Sequence, residues 1–417
     1  MSQPVNNTDS VPTVKGDRRQ LIAWRNAVFA IFFISGLSFA AWVARVPAVR
    51  DSLTLSTAEV GILIFGLSAG SVLGLMVAAW LLQTLGARRA MTLSFTIAAV
   101  GLAVVGTGTD LFHMAPLVFA GLALVGFGLG SVDVMMNVEG AAAEREIGRT
   151  LMPLMHACFS LGTVVGALLG AGASALNVSV SWNLAIIAAL ILATAVISVR
   201  FIPVRAELGD PAANDTAKPA KESWQVRLRR NLSVWRDMQL LLIGVIVLGM
   251  TFAEGSANDW IALAAVDGHG LDNTIGAVVF GAFVTAMTVG RVLGGPVLDR
   301  FGRVPVLRVS AAVGVLGLVL FILAPTTWLV FAGAVLWGLG AALGFPVGMS
   351  AAADDEKNSA ARVSVVAIIG YAAFLIGPPV IGLIGEAVGI LNALFLIVVL
   401  MILAGFAAPA ARERTHP

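Results

Sequence analysis

The chain has 417 residues, of which 58% are hydrophobic and only 12% charged, with 45 glycines. Soluble domains carry charge on roughly 25% of their residues, so a water-soluble globular protein is excluded. A net charge of +2 with no basic stretch interleaved with aromatics excludes a nucleic-acid partner, and one cysteine with four scattered histidines leaves neither a disulfide framework nor a metal or cofactor site.

Residues 1–24 are polar and read as a tail. The first apolar block is too long for a cleavable signal core, so it is expected to stay in the mature protein. Apolar blocks of about 20 residues, the length that spans a bilayer core, then follow at 25–47, 57–83, 89–108, 114–139, 150–175 and 181–201. A second set follows at 238–262, 274–298, 304–324, 327–352, 360–386 and 390–410. Between the sets, 203–236 reads as a linker rich in Ala, Pro, Asp, Lys and Arg, with an amphipathic stretch from Trp224 to Trp235 suited to the membrane surface. Residues 411–417 form a second tail. The expected fold class is therefore all-α integral membrane, with twelve transmembrane helices in two six-helix halves, 25–202 and 237–410. Arg45 and Arg50 fall on one side and Arg291 lies inside a helix, while every other Lys and Arg lies in the tails, the linker and the even-numbered loops. The positive-inside rule puts those segments, and both termini, in the cytoplasm.

The halves repeat. Gly61 to Arg89 matches Ile275 to Arg303 with a one-residue slip. HACFSLGTVVG (His156 to Gly166) matches YAAFLIGPPVIG (Tyr371 to Gly382), and GFGLGSVDVMMNVEGAAAER matches GLGAALGFPVGMSAAADDEK (Gly338 to Lys357). Two similar halves of the same topology predict a pseudo-two-fold axis along the membrane normal, with a solute site between the halves.

The fourth block carries GFGLGSVDVMMNVEG, Gly126 to Gly140, in which Gly126, Gly130, Asp133, Asn137 and Gly140 recur at three- and four-residue steps and share a helical face. Glycines on that face admit a neighbouring backbone, and an acid among them must face protein or water. Asp133 aligns with Phe345 of the other half and Asn137 with Met349, so one copy is polar and the other apolar. In the seventh block Glu254 aligns with Ala41, and Thr251 and Asn258 share its face. Desolvation disfavours a charged carboxyl, so Asp133 and Glu254, one in each half, are the expected proton-coupling groups. Expected solute contacts are Ser38, Trp42, Asn137, His156, Thr251, Asn258 and Tyr371. Plainer readings stand beside several of these and their neighbours: Trp42 and Trp260 as interfacial belt residues, His156 bonded to the fourth helix's backbone, Glu254 in a structural hydrogen bond, Asp259 solvated near the outer end of the seventh block, and Arg291 paired with an acid or the motif loop. Arg45 is either a headgroup-level residue or an outer gate meeting Asp51 or another carboxylate.

The segment GGPVLDRFGR, residues 294–303, resembles the loop motif between helices 8 and 9 of the major facilitator superfamily, with Gly295, Asp299, Arg300, Gly302 and Arg303 in register. The first-half copy, AAWLLQTLGARR, is degenerate, with Ala79 for the first glycine and Gln83 for the aspartate. DVMMNVEG, MHACFSLG and EGSANDW are similar to the fucose-permease-like branch, which includes uncharacterised bacterial inner-membrane transporters. The resemblance implies a monomeric secondary transporter in the bacterial inner membrane, with a small polar, sugar-like solute, protons and membrane lipids as its partners. It also implies a gating latch formed by the motif residues of the second copy. An exporter of drugs or metabolites is the alternative. Against it, the fourth block has Leu122 where drug antiporters place an arginine, and the glycine–proline pair lies in the eleventh block, Gly377-Pro378, not the fifth. A transport-inactive receptor or scaffold has no use for two intramembrane acids. GFGLG sits within an apolar helix with no strand before it, so it is packing and not a dinucleotide loop, and the chain has no Walker loop, nucleophile elbow or HExxH. An enzyme is not expected.

Overall fold

The computed structural model describes residues 18–149, 151–203, 237–354 and 359–412. Most of the predicted N-terminal tail and linker, including Trp224 to Trp235, and residues 413–417 of the C-terminal tail lie outside these residues.

The first half comprises α1 (Arg18–Val43), a short α2 (Val46–Leu53), α3 (Thr57–Asp110), α4 (Ala115–Ile147), α5 (Met152–Ala175) and α6 (Val180–Ser198). The second comprises α7 (Met238–Leu263), α8 (Asn273–Phe301), α9 (Arg303–Leu323), α10 (Thr327–Ala341), α11 (Gly344–Ala353), α12 (Ser359–Val388), α13 (Ile390–Ala393) and α14 (Phe395–Ala407). Local chemistry sets several starts. Ser56 and Glu59 form a reciprocal capping box at α3, and the Asp237 and Asp272 carboxylates accept from the first turns of α7 and α8.

Among the described residues, 11 helices are long and apolar enough to cross a membrane. One of them, α3, has 54 residues, or about 80 Å at 1.5 Å per residue, against a hydrocarbon core of about 30 Å. It is broken at Gly86, whose φ of 73° and ψ of 162° are not helical, so it crosses twice. Gly302, between α8 and α9, has nearly the same backbone, φ 75° and ψ 167°. This conformation belongs to glycine. The repeat therefore survives in the backbone even where the side chains of the first-half motif have diverged.

The tenth crossing, expected to be continuous over 327–352, is interrupted between α10 and α11. Pro346 has no N–H to bond the Ala342 carbonyl four residues back, and that carbonyl takes the Arg291 guanidinium instead, at 3.3 Å.

Within the first half α3 packs on α4 and α6, and α1 on α5. The second half repeats the scheme, with α9 on α10, and α12 and α14 on α7. Across the halves the main contacts are α3 with α12 and α5 with α8. These two pairings exchange under the sequence repeat, which is what a pseudo-two-fold axis requires.

Candidate functional site

Polar ties between the halves mark one end of the bundle. Arg50, on α2, pairs with Asp267 just beyond α7. Asp51 accepts from the Asn273 amide at 3.0 Å, and the Glu386 carboxylate from the Ala58 N–H at 3.4 Å. At the opposite, linker-side end several contacts bind each half to itself. Arg303 donates to Asp354 at 2.5 Å and to Ser350 at 2.9 Å. Arg362 pairs with Asp237, and the Glu144 carboxylate accepts from Leu151 and Met152 N–H at 2.6 and 2.8 Å. The Arg50, Asp51 and Glu386 ties that join the halves thus all lie at the far end.

Helix α4 shows how the interior space is framed. A Cβ at Gly126 would overlap the Leu67 carbonyl, and one at Gly130 the Ser71 carbonyl, so this seam with α3 is closed. One turn further on, Asp133 is exposed, although protein encloses it on most sides. Its side of the helix is opposite to Ala120 and Leu124, which face outward. Tyr371 of α12, in the other half, is also exposed on its helix. Asp133 therefore faces the space between the halves. Its carboxylate accepts from the Asn137 amide at 3.5 Å, and the same amide donates to the Asp133 carbonyl at 2.7 Å.

Two more groups face this space. His156, on α5, is exposed on the side away from the outward-facing Leu154, Leu161 and Leu168. Its ring meets Phe32 edge-on at 5.2 Å. Tyr371 is 43% exposed. Opposite them, Glu254 on α7 accepts from Arg291 on α8 at 2.6 Å, with side-chain exposures of 13% and 33% respectively. The alignment that pairs His156 with Tyr371 thus corresponds to two groups facing one another's half.

The remaining expected residues are distributed differently. Thr251 is buried, with its hydroxyl lacking a protein partner, and Asn258 is half-buried one turn beyond Glu254. Ser38 and Trp42 have no open face in this conformation. The Ser38 hydroxyl donates back to Ile34 at 2.6 Å, which satisfies it on its own helix. Trp42 and Trp260 are both in the core, so neither is a belt tryptophan. Arg45 is buried and donates to the Val178 carbonyl at 2.7 Å within its own half; it does not meet Asp51. Gly295, Asp299 and Arg300 are exposed at the linker-side end of α8, and Gly302 and Arg303 form the turn into α9. Of the two partners expected for Arg291, an acid or the motif loop, the structure brings the acid, Glu254 on the neighbouring helix. Asp259, expected to be solvated near the end of its block, is half-buried on α7.

Comparison with known proteins agrees with this architecture. The sequence matches the family described as Major Facilitator Superfamily over residues 27–294 and 257–417. An uncharacterised transporter of Sinorhizobium fredii, y4wD, is 30% identical over 407 residues, covering 95% of this chain and 100% of that protein. A variant of the nucleoside transporter NupG superposes with a TM-score of 0.75 at 16% identity, covering 93% of this chain and 99% of that one. A variant of the E. coli fucose:proton symporter FucP superposes at 0.60 and 14% identity, covering 95% and 100%. At those identities the two structures speak for the fold alone. A twelve-crossing helical bundle of two repeated halves, matched by the family along nearly its whole length, is a membrane transporter and not an enzyme: the chain belongs to the major facilitator superfamily.

Proposed function

We propose that the chain is a proton-coupled symporter of a small polar, sugar-like solute, working as a monomer by alternating access in the bacterial inner membrane, with the linker side in the cytoplasm. The observation that carries this reading is Asp133, an exposed acid in mid-helix on the side of α4 away from the outward-facing Ala120 and Leu124, with no ion-pair partner among the described residues. A carboxylate without an ion-pair partner opposes closure of the surrounding space, because closure strips its remaining water. A proton removes that penalty. Loading Asp133 therefore favours the occluded state, and releasing the proton on the other side resets the cycle. Asn137, His156 and Tyr371 supply hydrogen bonds to a hydroxylated solute, with Glu254, Thr251 and Asn258 on the facing helix. Ser38 and Trp42 become contacts only if α1 turns during the cycle. The far-end ties at Arg50 and Asp51 hold the outer side shut in this conformation, and the motif residues Gly295, Asp299, Arg300, Gly302 and Arg303 latch the inner side in the alternate one.

The test is solute-driven proton flux in liposomes containing the purified protein and a trapped pH dye. The panel contains sugars, sugar acids, amino acids and lipophilic cations. Proton uptake with a sugar or sugar acid, reduced to the leak rate in Asp133→Asn, is the expected result. Proton release driven by lipophilic cations identifies an exporter instead. Silence across the panel, or an Asp133→Asn protein indistinguishable from wild type, refutes the coupling role.

A further inference from the structure

Arg291 has a peculiar situation for a structural staple. Its Nε donates to the Ala342 carbonyl and one terminal nitrogen to Glu254, yet the side chain is 33% exposed, and its helix packs on α5, which carries His156. A guanidinium carries five N–H donors in a planar fork, so Arg291 keeps donors to spare. Among the described residues it is also the only Lys or Arg in the middle of a crossing, since Arg45 and Arg362 lie at helix ends. We propose that Arg291 binds a carboxylate on the solute, so that the transported sugar-like molecule is a sugar acid, and that Glu254 is a built-in competitor occupying Arg291 when the site is empty. This rests on the symport reading and names its substrate class.

Exchanging one carboxylate for another on Arg291 is matched in charge and in fork geometry. A phosphate dianion would need a second cation, and the described residues around this space offer none beyond His156. Charge also makes the coupling obligatory. The space holds Asp133 and Glu254 against Arg291, with His156 on α5 and Tyr371 on α12 the other titratable groups facing it. A second anion is repelled from such a set unless protons accompany it. When the solute carboxylate takes Arg291, the displaced Glu254 carboxylate accepts a proton from the aqueous phase. When the solute leaves, Glu254 gives that proton back to water and re-forms its bond to Arg291.

The experiment pairs two readouts on the full-length protein: the thermal shift in detergent, which reports binding, and dye-reported proton flux in liposomes, which reports coupling. The probes are gluconate, glucuronate and glucose at neutral pH. A sugar acid is expected to stabilise wild type with an apparent affinity at least about tenfold better than glucose, the worth of one charged hydrogen bond. Arg291→Lys should weaken sugar-acid binding by about the same factor, because an ammonium cannot reproduce the bidentate fork. Glu254→Gln should tighten it, because the competitor is gone. A staple predicts the reverse for Glu254→Gln, with both variants binding less well. That result, or equal binding of glucose and the acids by wild type, overturns the inference. Loss of proton flux with selective sugar-acid binding intact would sink the symport reading while leaving the carboxylate site standing.

Discussion

The two halves share a backbone and divide the charges between them. Gly86 and Gly302 turn the chain with nearly identical torsions, and α1 lies on α5 as α7 lies on α12. The second half, however, holds its ions in pairs: Glu254 with Arg291, Arg303 with Asp354, Arg362 with Asp237. Under the repeat, Ala41 and Leu75 stand where Glu254 and Arg291 do, and Ala87 where Arg303 does. The first half instead exposes Asp133, where the second has Phe345. The difference teaches that a duplicated bundle can keep its packing while one copy sets its interior acid against a cation and the other leaves its acid without one.

The sharpest way to break this contrast is at the ion pair nearest the site. Arg291→Gln leaves the mostly covered Glu254 carboxylate without its cation. Thermal unfolding in detergent should show a loss of about 3 kcal/mol, the lower end for a buried pair because Arg291 is partly solvated. Adding Glu254→Gln to it should recover most of that loss. Asp133→Asn, by contrast, should leave stability unchanged or raised, since it removes an unpaired charge. If Arg291→Gln and Asp133→Asn unfold alike, the two acids are not different in kind.

The shared backbone can be tested next. Gly86→Ala and Gly302→Ala each force a side chain into a glycine-only conformation, and each should cost about 2 kcal/mol. No neighbouring atom would be struck at either place, so the cost is torsional. A large penalty at Gly302 with none at Gly86 would mean that the first-half turn has relaxed along with its sequence.

The smallest effect concerns the pair outside the membrane-spanning segments. Burial pushes the Asp237 carboxyl up, but the Arg362 guanidinium and the N–H groups of Leu240 and Gln239 outweigh it and hold the carboxyl below its ordinary value. A depressed carboxyl contributes stability above the unfolded value, about 3.9, and loses it as pH falls through the folded one. Wild type should thus lose about 1 kcal/mol on acidification in that range, in keeping with a partly solvated pair. Arg362→Gln should flatten that part of the profile, as read by melting temperature against pH. An unchanged profile would remove Arg362–Asp237 from the set of staples.

Much of this molecule is written in one dimension. Block length and apolar content specify twelve crossings, because a helix in hydrocarbon must satisfy its own backbone and span a fixed thickness. The repeat specifies two equivalent halves, and the Gly302 turn lies where the motif predicts it. The glycines of α4 also do what their spacing implies at Gly126 and Gly130, since close backbone approach depends only on the missing side chain. What one dimension does not contain is which acid meets which cation. Glu254 and Arg291 come together only because α7 and α8 pack side by side, and Arg291 is further held by a carbonyl that Pro346 leaves free on a third element. Ser38 and Trp42 share a helical face with the proper period, yet they are in the core, because periodicity tells which residues lie together and not whether that face meets a neighbour or a void. Crossings and repeats are properties of local chain chemistry and solvent. Pairing, exposure and the end at which the halves are tied are properties of the packed bundle.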